Sequence, residues 1–312
     1  MEKQNNMATR NVTRYQRPWI IAFITPAMIL TVIFTLVPAF TLLSYSLYGW
    51  ESFKRGDFVG FTNFERLSNF PFRGDFGGAF RNNVIVFVTL FLVQTSVGMI
   101  LALAIYRLRR GKKLFQAIVF LPVILSLVIV AFMWKLFLDP LFGPISSLAL
   151  QFNLPWLNQP WLGQPGLALF TLIFIGLWRW VGFPAIVFLA GMNSINEEYI
   201  EAARIDGASE MQIFRKIIFP LLAPSFTIVA ILTFIGAFEW FELPYVIGGV
   251  TGQPGGSTTT MALLFYRLAF GTVDSATVDV GLSSAIGVIL FIFVGIGAAL
   301  GSYYLRKREI QQ

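Results

Sequence analysis

The sequence predicts an all-α membrane protein with six transmembrane helices. Three observations carry this. Hydrophobic residues make up 56% of the 312 positions and charged ones only 12%, where an ordinary soluble domain carries about 25% charged. Apolar runs of about twenty residues or more recur along the whole chain, long enough to cross a hydrocarbon core of ~30 Å at ~1.5 Å per residue. Lys and Arg gather in alternate connections between those runs, as a multi-pass chain requires for a fixed orientation.

The elements follow in order. Residues 1–18 form a polar tail with Lys3, Arg10, Arg14 and Arg17. The apolar run from Trp19 is too long for a signal-peptide core and shows no small-residue cleavage site, so it reads as a retained first span. The spans cover about residues 19–47, 83–106, 114–138, 167–190, 224–244 and 281–305, and residues 306–312 form a short tail. Basic residues crowd the first tail, the connection after span two (Arg107, Arg109, Arg110, Lys112, Lys113), the connection after span four (Arg204, Arg215, Lys216) and the last tail (Arg306, Lys307, Arg308). With six spans these four segments share one side, so both termini are expected in the cytoplasm. The opposite connections mix in acids, as in Lys54, Arg55, Asp57, Glu65 and Asp75. Two of them are long. Residues 48–82 hold Gly, Asn and Pro breakers, and residues 245–280 hold a Gly/Thr/Pro stretch before an amphipathic piece near 263–270.

Composition also excludes. The net charge of +7 does not point to nucleic acid, because the basic residues sit in short clusters between apolar runs, not along a soluble face. The chain has no Cys and no His. That removes disulfides, Cys/His zinc sites, Ser-His-Asp triads and Cys-His dyads, and no catalytic or metal-binding set is expected.

The connection 191–223, between spans four and five, has mixed polarity and many helix formers. Ser194 and Glu197 have the spacing of a capping box, which starts a short helix. Gly207 can take the left-handed conformation that ends it. Ser209 and Gln212 repeat the capping-box spacing, and Ile213, Phe214, Ile217 and Ile218 give the second helix an apolar stripe. Pro220 marks where that helix stops or bends. On pattern alone, an amphipathic connector lying on the lipid surface accounts for all of this.

The order of residues says more. Glu201-Ala202-Ala203, then Gly207 after a gap of three, then Ile217 and Pro220 after a gap of nine, is the signature known as the EAA loop. With it the chain resembles the permease subunits of binding-protein-dependent ABC importers, and Asp206-Gly207-Ala208 resembles the sugar branch. Further segments are similar to the same family: Phe58 to Phe64, Phe120-Leu121-Pro122 with Trp134, Asp139-Pro140 and Gly143, and Phe241 to Gly249 followed by Ser257-Thr258 and Tyr266 to Phe270. The latter stretch looks like maltose-type and glycerol-3-phosphate-type permeases. Three positions depart from the family pattern. Glu239 stands where Asp is usual, Val250 where Pro follows the paired Gly, and Asn196 where Pro precedes the first loop helix.

The resemblance implies the fold of a type I ABC importer permease in a prokaryotic cytoplasmic membrane. It implies that Glu201, Ala202, Ala203, Asp206, Gly207, Ile217 and Pro220 couple the chain to a dimer of ATP-binding subunits. Small Ala202 and Ala203 allow close approach, Gly207 turns the chain, and Glu201, Asp206, Arg204 and Arg215 offer charges to the partner. It implies a second and different permease subunit, an extracytoplasmic solute-binding protein and a sugar or related polyol as substrate, moved by alternating access. The chain has no G-x-x-x-x-G-K-[ST] phosphate loop. It is therefore expected to hold no cofactor, with ATP and Mg bound by the partner ATPase.

Charges inside the spans are the candidates for a substrate pathway. Arg179 sits between Trp178 and Trp180 near the middle of span four, where an arginine costs from ~3 to more than 10 kcal/mol unless it faces the bundle or a wet cavity. Glu239 and Glu242 are three apart, as on one helical face, with Trp240 between them and Tyr245 beyond. Two readings stand. One is a polar, aromatic-lined sugar site, and the other is an ion pair of Arg179 with Glu239 or Glu242 that only holds spans together. Lys135 is expected to snorkel to the interface, and Gly297 with Gly301 to mark close helix packing.

Two other classes compete. An ion-coupled secondary sugar transporter would show broken helices with acidic ion ligands near the midplane, and the Glu pair hints at that, but such a carrier has no use for the loop. An intramembrane enzyme lacks a catalytic pairing. A neutral mono- or oligosaccharide suits the Glu- and Trp-rich lining better than glycerol phosphate, which prefers more cations than the spans offer.

Overall fold

The computed structural model describes residues 19–272 and 278–307. The basic tail 1–18 and Arg308 lie outside the described residues. Helix α1, Trp19–Ser46, leads into an antiparallel hairpin of β1, Tyr48–Glu51, and β2, Lys54–Phe58. Helix α2, Thr62–Ser68, precedes the long helix α3, Phe72–Arg107. After a turn come α4, Lys112–Ile124, and α5, Leu127–Phe137. Then follow α6, Pro144–Gln151, and α7, Pro165–Asn193. The loop helices are α8, Glu197–Ile205, and α9, Glu210–Ile213. Helices α10, Ala223–Phe238, α11, Glu242–Gly248, α12, Met261–Phe270, and α13, Val280–Arg306, complete the chain.

Among the described residues six apolar spans are present if the bent pair α4–α5 counts as one. That pair corrects the single helix expected over 114–138, because α4 and α5 meet at 90°. Pro122 lies inside the last turn of α4 and supplies no N–H to its ladder. Leu125 and Ser126 then turn extended, with ψ of 140° and 132°. At the exit of α5 the N–H groups of Leu141 and Phe142 both donate to Asp139 at 2.9 Å, which holds its carboxyl below the usual carboxylate range.

Span two is the second correction. Its helix starts at Phe72, not near residue 83. Gly74, Gly77 and Gly78 read as breakers in sequence, but the turn they occupy is held by tertiary contacts. Ala79 is buried with Leu67, Met261, Leu264 and Leu282, and Arg267 of α12 donates to Asp75 at 2.8 Å.

Helix α7 is the axis of the bundle. Its side chains Leu172, Ile173, Ile175, Phe188 and Met192 are fully buried. Neighbours reach its backbone because small residues stand at the crossings. A Cβ on Gly98 of α3 would come within 2.8 Å of Pro184, and one on Gly182 would strike the Val119 carbonyl of α4. By contrast α1 is exposed over its first half and packs only further along, where Leu42 would lie 3.0 Å from a Cβ on Gly287 of α13.

Candidate functional site

One end of the bundle carries the 191–223 connection. The helix–turn–helix predicted there is present, though its first cap differs. Asn196, not Ser194, is the N-cap of α8, and its side chain accepts the Glu198 N–H at 3.1 Å. Ser194 sits two residues early and donates instead to the Gly191 carbonyl. Asn and Ser cap equally well, so backbone geometry decides between them. Helix α8 ends in a Schellman turn. The Ala208 N–H donates to the Ala203 carbonyl and the Gly207 N–H to the Arg204 carbonyl, with Gly207 at φ +78°. Ser209 and Gln212 then form both bonds of a capping box at the start of α9. The helix continues as a π turn over Phe214–Ile218 and leaves the helical path at Leu222, two residues after Pro220.

The apolar stripe of α9 does not lie on lipid. Ile213 and Ile218 are buried in one cluster with Ala102 and Ile105 of α3 and Phe188, Leu189 and Met192 of α7. Ala203, Ala208, Phe214 and Ile217 pack against that cluster. The loop is thus fastened to the ends of two spans. Arg204 of α8 pairs with Glu210 of α9 at 3.1 Å, and Arg107 at the end of α3 approaches the same carboxylate at 3.6 Å. Arg204 was expected to be free for a partner, and it is instead a brace between the loop helices. What remains bare is an apolar face of Tyr199, Ala202, Ile205 and Met211, with Ile205 86% exposed. Glu201 and Asp206 are exposed beside it. An open groove of ≈ 340 Å³ runs between Ala203, Asp206, Gly207, Gln212 and Lys216.

The second set of residues lies within the spans. Glu239 and Glu242 do not share a helical face, because α10 ends at Phe238 and a new helix starts at Glu242. Both carboxylates are exposed. Arg179 has no ion pair with either, and Glu242 acts on it only at longer range. One Arg179 Nη donates to the Leu125 carbonyl at 3.3 Å, a group freed by the α4–α5 bend, while Nε has no partner among the described residues. The guanidinium lies 5.1 Å from the Trp180 ring centroid. Trp178 packs edge-on to Trp134 at 5.7 Å, and the Trp134 Nε1 is a second buried donor without a partner among the described residues. Trp178 and Trp240 pack against the same buried cluster of Leu172, Ile175 and Leu243. Tyr245 stacks on Phe241 and meets Tyr266 of α12. Trp178 and Trp240 thus share one cluster, Arg179 lies beside the Trp180 ring within electrostatic reach of Glu242, and Trp180, Glu239 and Glu242 are all exposed.

Sequence reasoning missed the amides that hold the break in span five. Asn83 donates to the Ala237 carbonyl at 2.6 Å and accepts the Met261 N–H at 2.8 Å. Asn82 donates to the carbonyls of Ser257 and Thr259, and the Thr260 hydroxyl donates to the Trp240 carbonyl. Both Asn are buried. Two adjacent amides opening an apolar run were the available signal.

Comparison with known proteins agrees with this architecture. Residues 94–310 match the family described as binding-protein-dependent transport system inner membrane component. The chain is 32% identical to a multiple sugar-binding transport system permease protein, MsmF, of Streptococcus mutans, over 94% of this chain and 97% of that one. It is 28% identical to a probable starch degradation products transport system permease protein, AmyD, of Thermoanaerobacterium thermosulfurigenes, over 94% and 96%. A chain of a bacterial ABC transporter involved in import of the acidic polysaccharide alginate superposes with a TM-score of 0.80 at 24% identity, over 96% of this chain and 99% of that one.

Proposed function

Since the chain belongs to the family of binding-protein-dependent transport system inner membrane components, a multi-pass membrane family whose members have no ATPase of their own, we propose that it couples a partner ATPase to sugar import. One observation carries the coupling. The loop helices α8 and α9 are locked to the ends of α3 and α7 by a buried cluster, yet leave Tyr199, Ala202 and Ile205 bare. A rigid joint with an uncovered apolar face transmits force from whatever binds it. The expected partner is a dimer of ATP-binding subunits that supplies ATP and Mg, and Glu201, Ala202, Ala203, Asp206, Gly207, Ile217 and Pro220 form or support the contact. When that dimer closes, the joint tilts α3 and α7 and switches access from one side to the other.

The basic residues of the loop end, Arg107, Arg109, Arg110 and Lys112 among them, support a cytoplasmic location for this end and for both termini. The substrate is a mono- or oligosaccharide or a related polyol, a class supported by the names of the relatives MsmF and AmyD. It passes the Trp178, Arg179, Trp240 and Glu242 group, with Trp180, Glu239 and Tyr245 at its margin. Arg179 Nε and Trp134 Nε1 are buried donors without a partner among the described residues, and a hydroxyl that reached them would satisfy them. A solute-binding protein delivers the sugar, and a second, different permease completes the path.

The test is a mild-detergent pull-down of this chain from its native membrane, with mass spectrometry of what is retained. Recovery of a phosphate-loop ATPase, a second six-span chain and a solute-binding protein supports the proposal. Recovery of the chain alone sinks it and favours an ion-coupled carrier.

A further inference from the structure

We propose that a basic pocket beside the loop is a binding site for the headgroup of an anionic phospholipid. The pocket, of ≈ 430 Å³, opens between the end of α3, the α3–α4 turn and the loop helices. Its charged lining is Arg107, Arg109, Lys112 and Arg204, with Glu197 and Glu210. Its apolar floor includes Leu103, Tyr106, Met192 and Ile200. None of the bare residues assigned to the ATPase contact, Tyr199, Ala202, Ile205 or Met211, lines it.

The charges are not equivalent. Glu210 takes both Arg204 and Arg107. Arg109 and Lys112 have no carboxylate partner among the described residues, and the Lys112 ammonium stands 5.2 Å from the Tyr106 ring centroid. Gly111, at φ +80°, folds the turn so that both cations border the pocket. Two uncompensated cations at a concave, partly apolar site call for an anion.

What lies next to the pocket selects the kind of anion. Ile100 on α3 is 66% exposed, and Leu114 and Ile118 on α4 are 63% and 55% exposed. Ile100 stands about two turns before the end of α3 at Arg107, and Leu114 and Ile118 within about two turns of Lys112, on membrane-spanning helices where bare apolar surface meets acyl chains. A soluble phosphate satisfies the cations and ignores that surface. A zwitterionic lipid satisfies the surface without net negative charge. An anionic phospholipid satisfies both, and basic pockets between transmembrane helices suit such headgroups. Bound there, it ties the α3–α4 turn to the loop. The inference rests on the chain crossing the membrane and not on the coupling role.

The experiment uses the complex as purified from its membrane. Native mass spectrometry follows retention of phosphatidylglycerol and of phosphatidylcholine by the unaltered protein, by Arg109→Gln/Lys112→Gln, and by Arg306→Gln/Lys307→Gln as a control at the end of α13. Each basic group near a membrane surface strengthens binding roughly five-fold. The first double variant is therefore expected to hold phosphatidylglycerol about twenty-five-fold more weakly, with the control unchanged. Equal retention of the two lipids by the unaltered protein overturns the proposal without recourse to any variant. So does undiminished retention by the Arg109/Lys112 variant. Displacement of phosphatidylglycerol by millimolar inorganic phosphate also overturns it, by making the ligand a soluble anion.

Discussion

The Ala208 N–H donates to the Ala203 carbonyl at 2.9 Å across Gly207, the one loop residue described with positive φ. Six residues, Ala203 to Ala208, thus set the angle between α8 and α9. Nothing lies within 4 Å of a Cβ built on Gly207, so the constraint there is conformational and not steric.

Replacing Gly207 with Val forces a β-branched residue into left-handed backbone, at a cost of about 1–3 kcal/mol concentrated in this turn. The buried spans are untouched. Membrane insertion is expected to persist while co-purification of the ATPase and sugar uptake both fall. Gly207→Asn tolerates the conformation better and should retain most of both. A Val variant that assembles and transports normally would remove the docking role from this loop.

Among the described residues, Arg179 has a buried Nε without a partner and no ion pair. A purely structural arginine would leave a costly gap when replaced. Here Arg179→Met removes a poorly compensated charge of similar length, so the thermal midpoint of the complex should hold or rise. Uptake of the sugar in proteoliposomes should fall at least about ten-fold, the share of one charge-assisted bond. A lower midpoint with unchanged uptake would return Arg179 to a scaffolding role.

Asn83→Ala strips the Ala237 carbonyl of a donor and the Met261 N–H of its acceptor, both at buried positions. Buried groups left without partners cost about 1–3 kcal/mol each. The expected result is a loss of about 2–4 kcal/mol, read as a lower midpoint, with protease nicking first in the 249–260 segment that Asn82 and Thr260 also anchor.

The two glycines of the G-x-x-x-G in α13 should behave differently. A Cβ at Gly297 would fall 2.5 Å from the Phe234 ring, and one at Gly301 meets nothing within 4 Å. Gly297→Leu is expected to cost about 1–3 kcal/mol through overpacking. Gly301→Leu should leave the thermal unfolding curve unmoved. Equal effects would mean that the motif acts as a unit.

Much of this protein could be read from its residues one stretch at a time. Apolar runs place spans, because crossing lipid requires about twenty apolar residues whatever the neighbours are. The turn at Gly207 and the capping box at Ser209 were readable because each is closed by residues within five positions of it. The family followed from the order of Glu201, Ala202, Ala203, Gly207 and Pro220, a pattern that lies in one segment.

Other features depend on residues far apart in the chain. Helix α3 begins at Phe72 because Met261 and Leu264 bury Ala79 and Arg267 reaches Asp75, which no local propensity of a Gly-rich stretch foretells. Span three bends by 90° and span five breaks at Glu239. The second break separates two carboxylates that helical spacing would pair, and Asn83 holds it from across the bundle. Arg204 looked free in sequence and is occupied by Glu210. By itself the sequence determined which segments enter the membrane and how the loop turns, since those depend on solvation and local backbone geometry. Only the tertiary structure decided which charges are spent and which are left bare, because that depends on what each meets across the bundle.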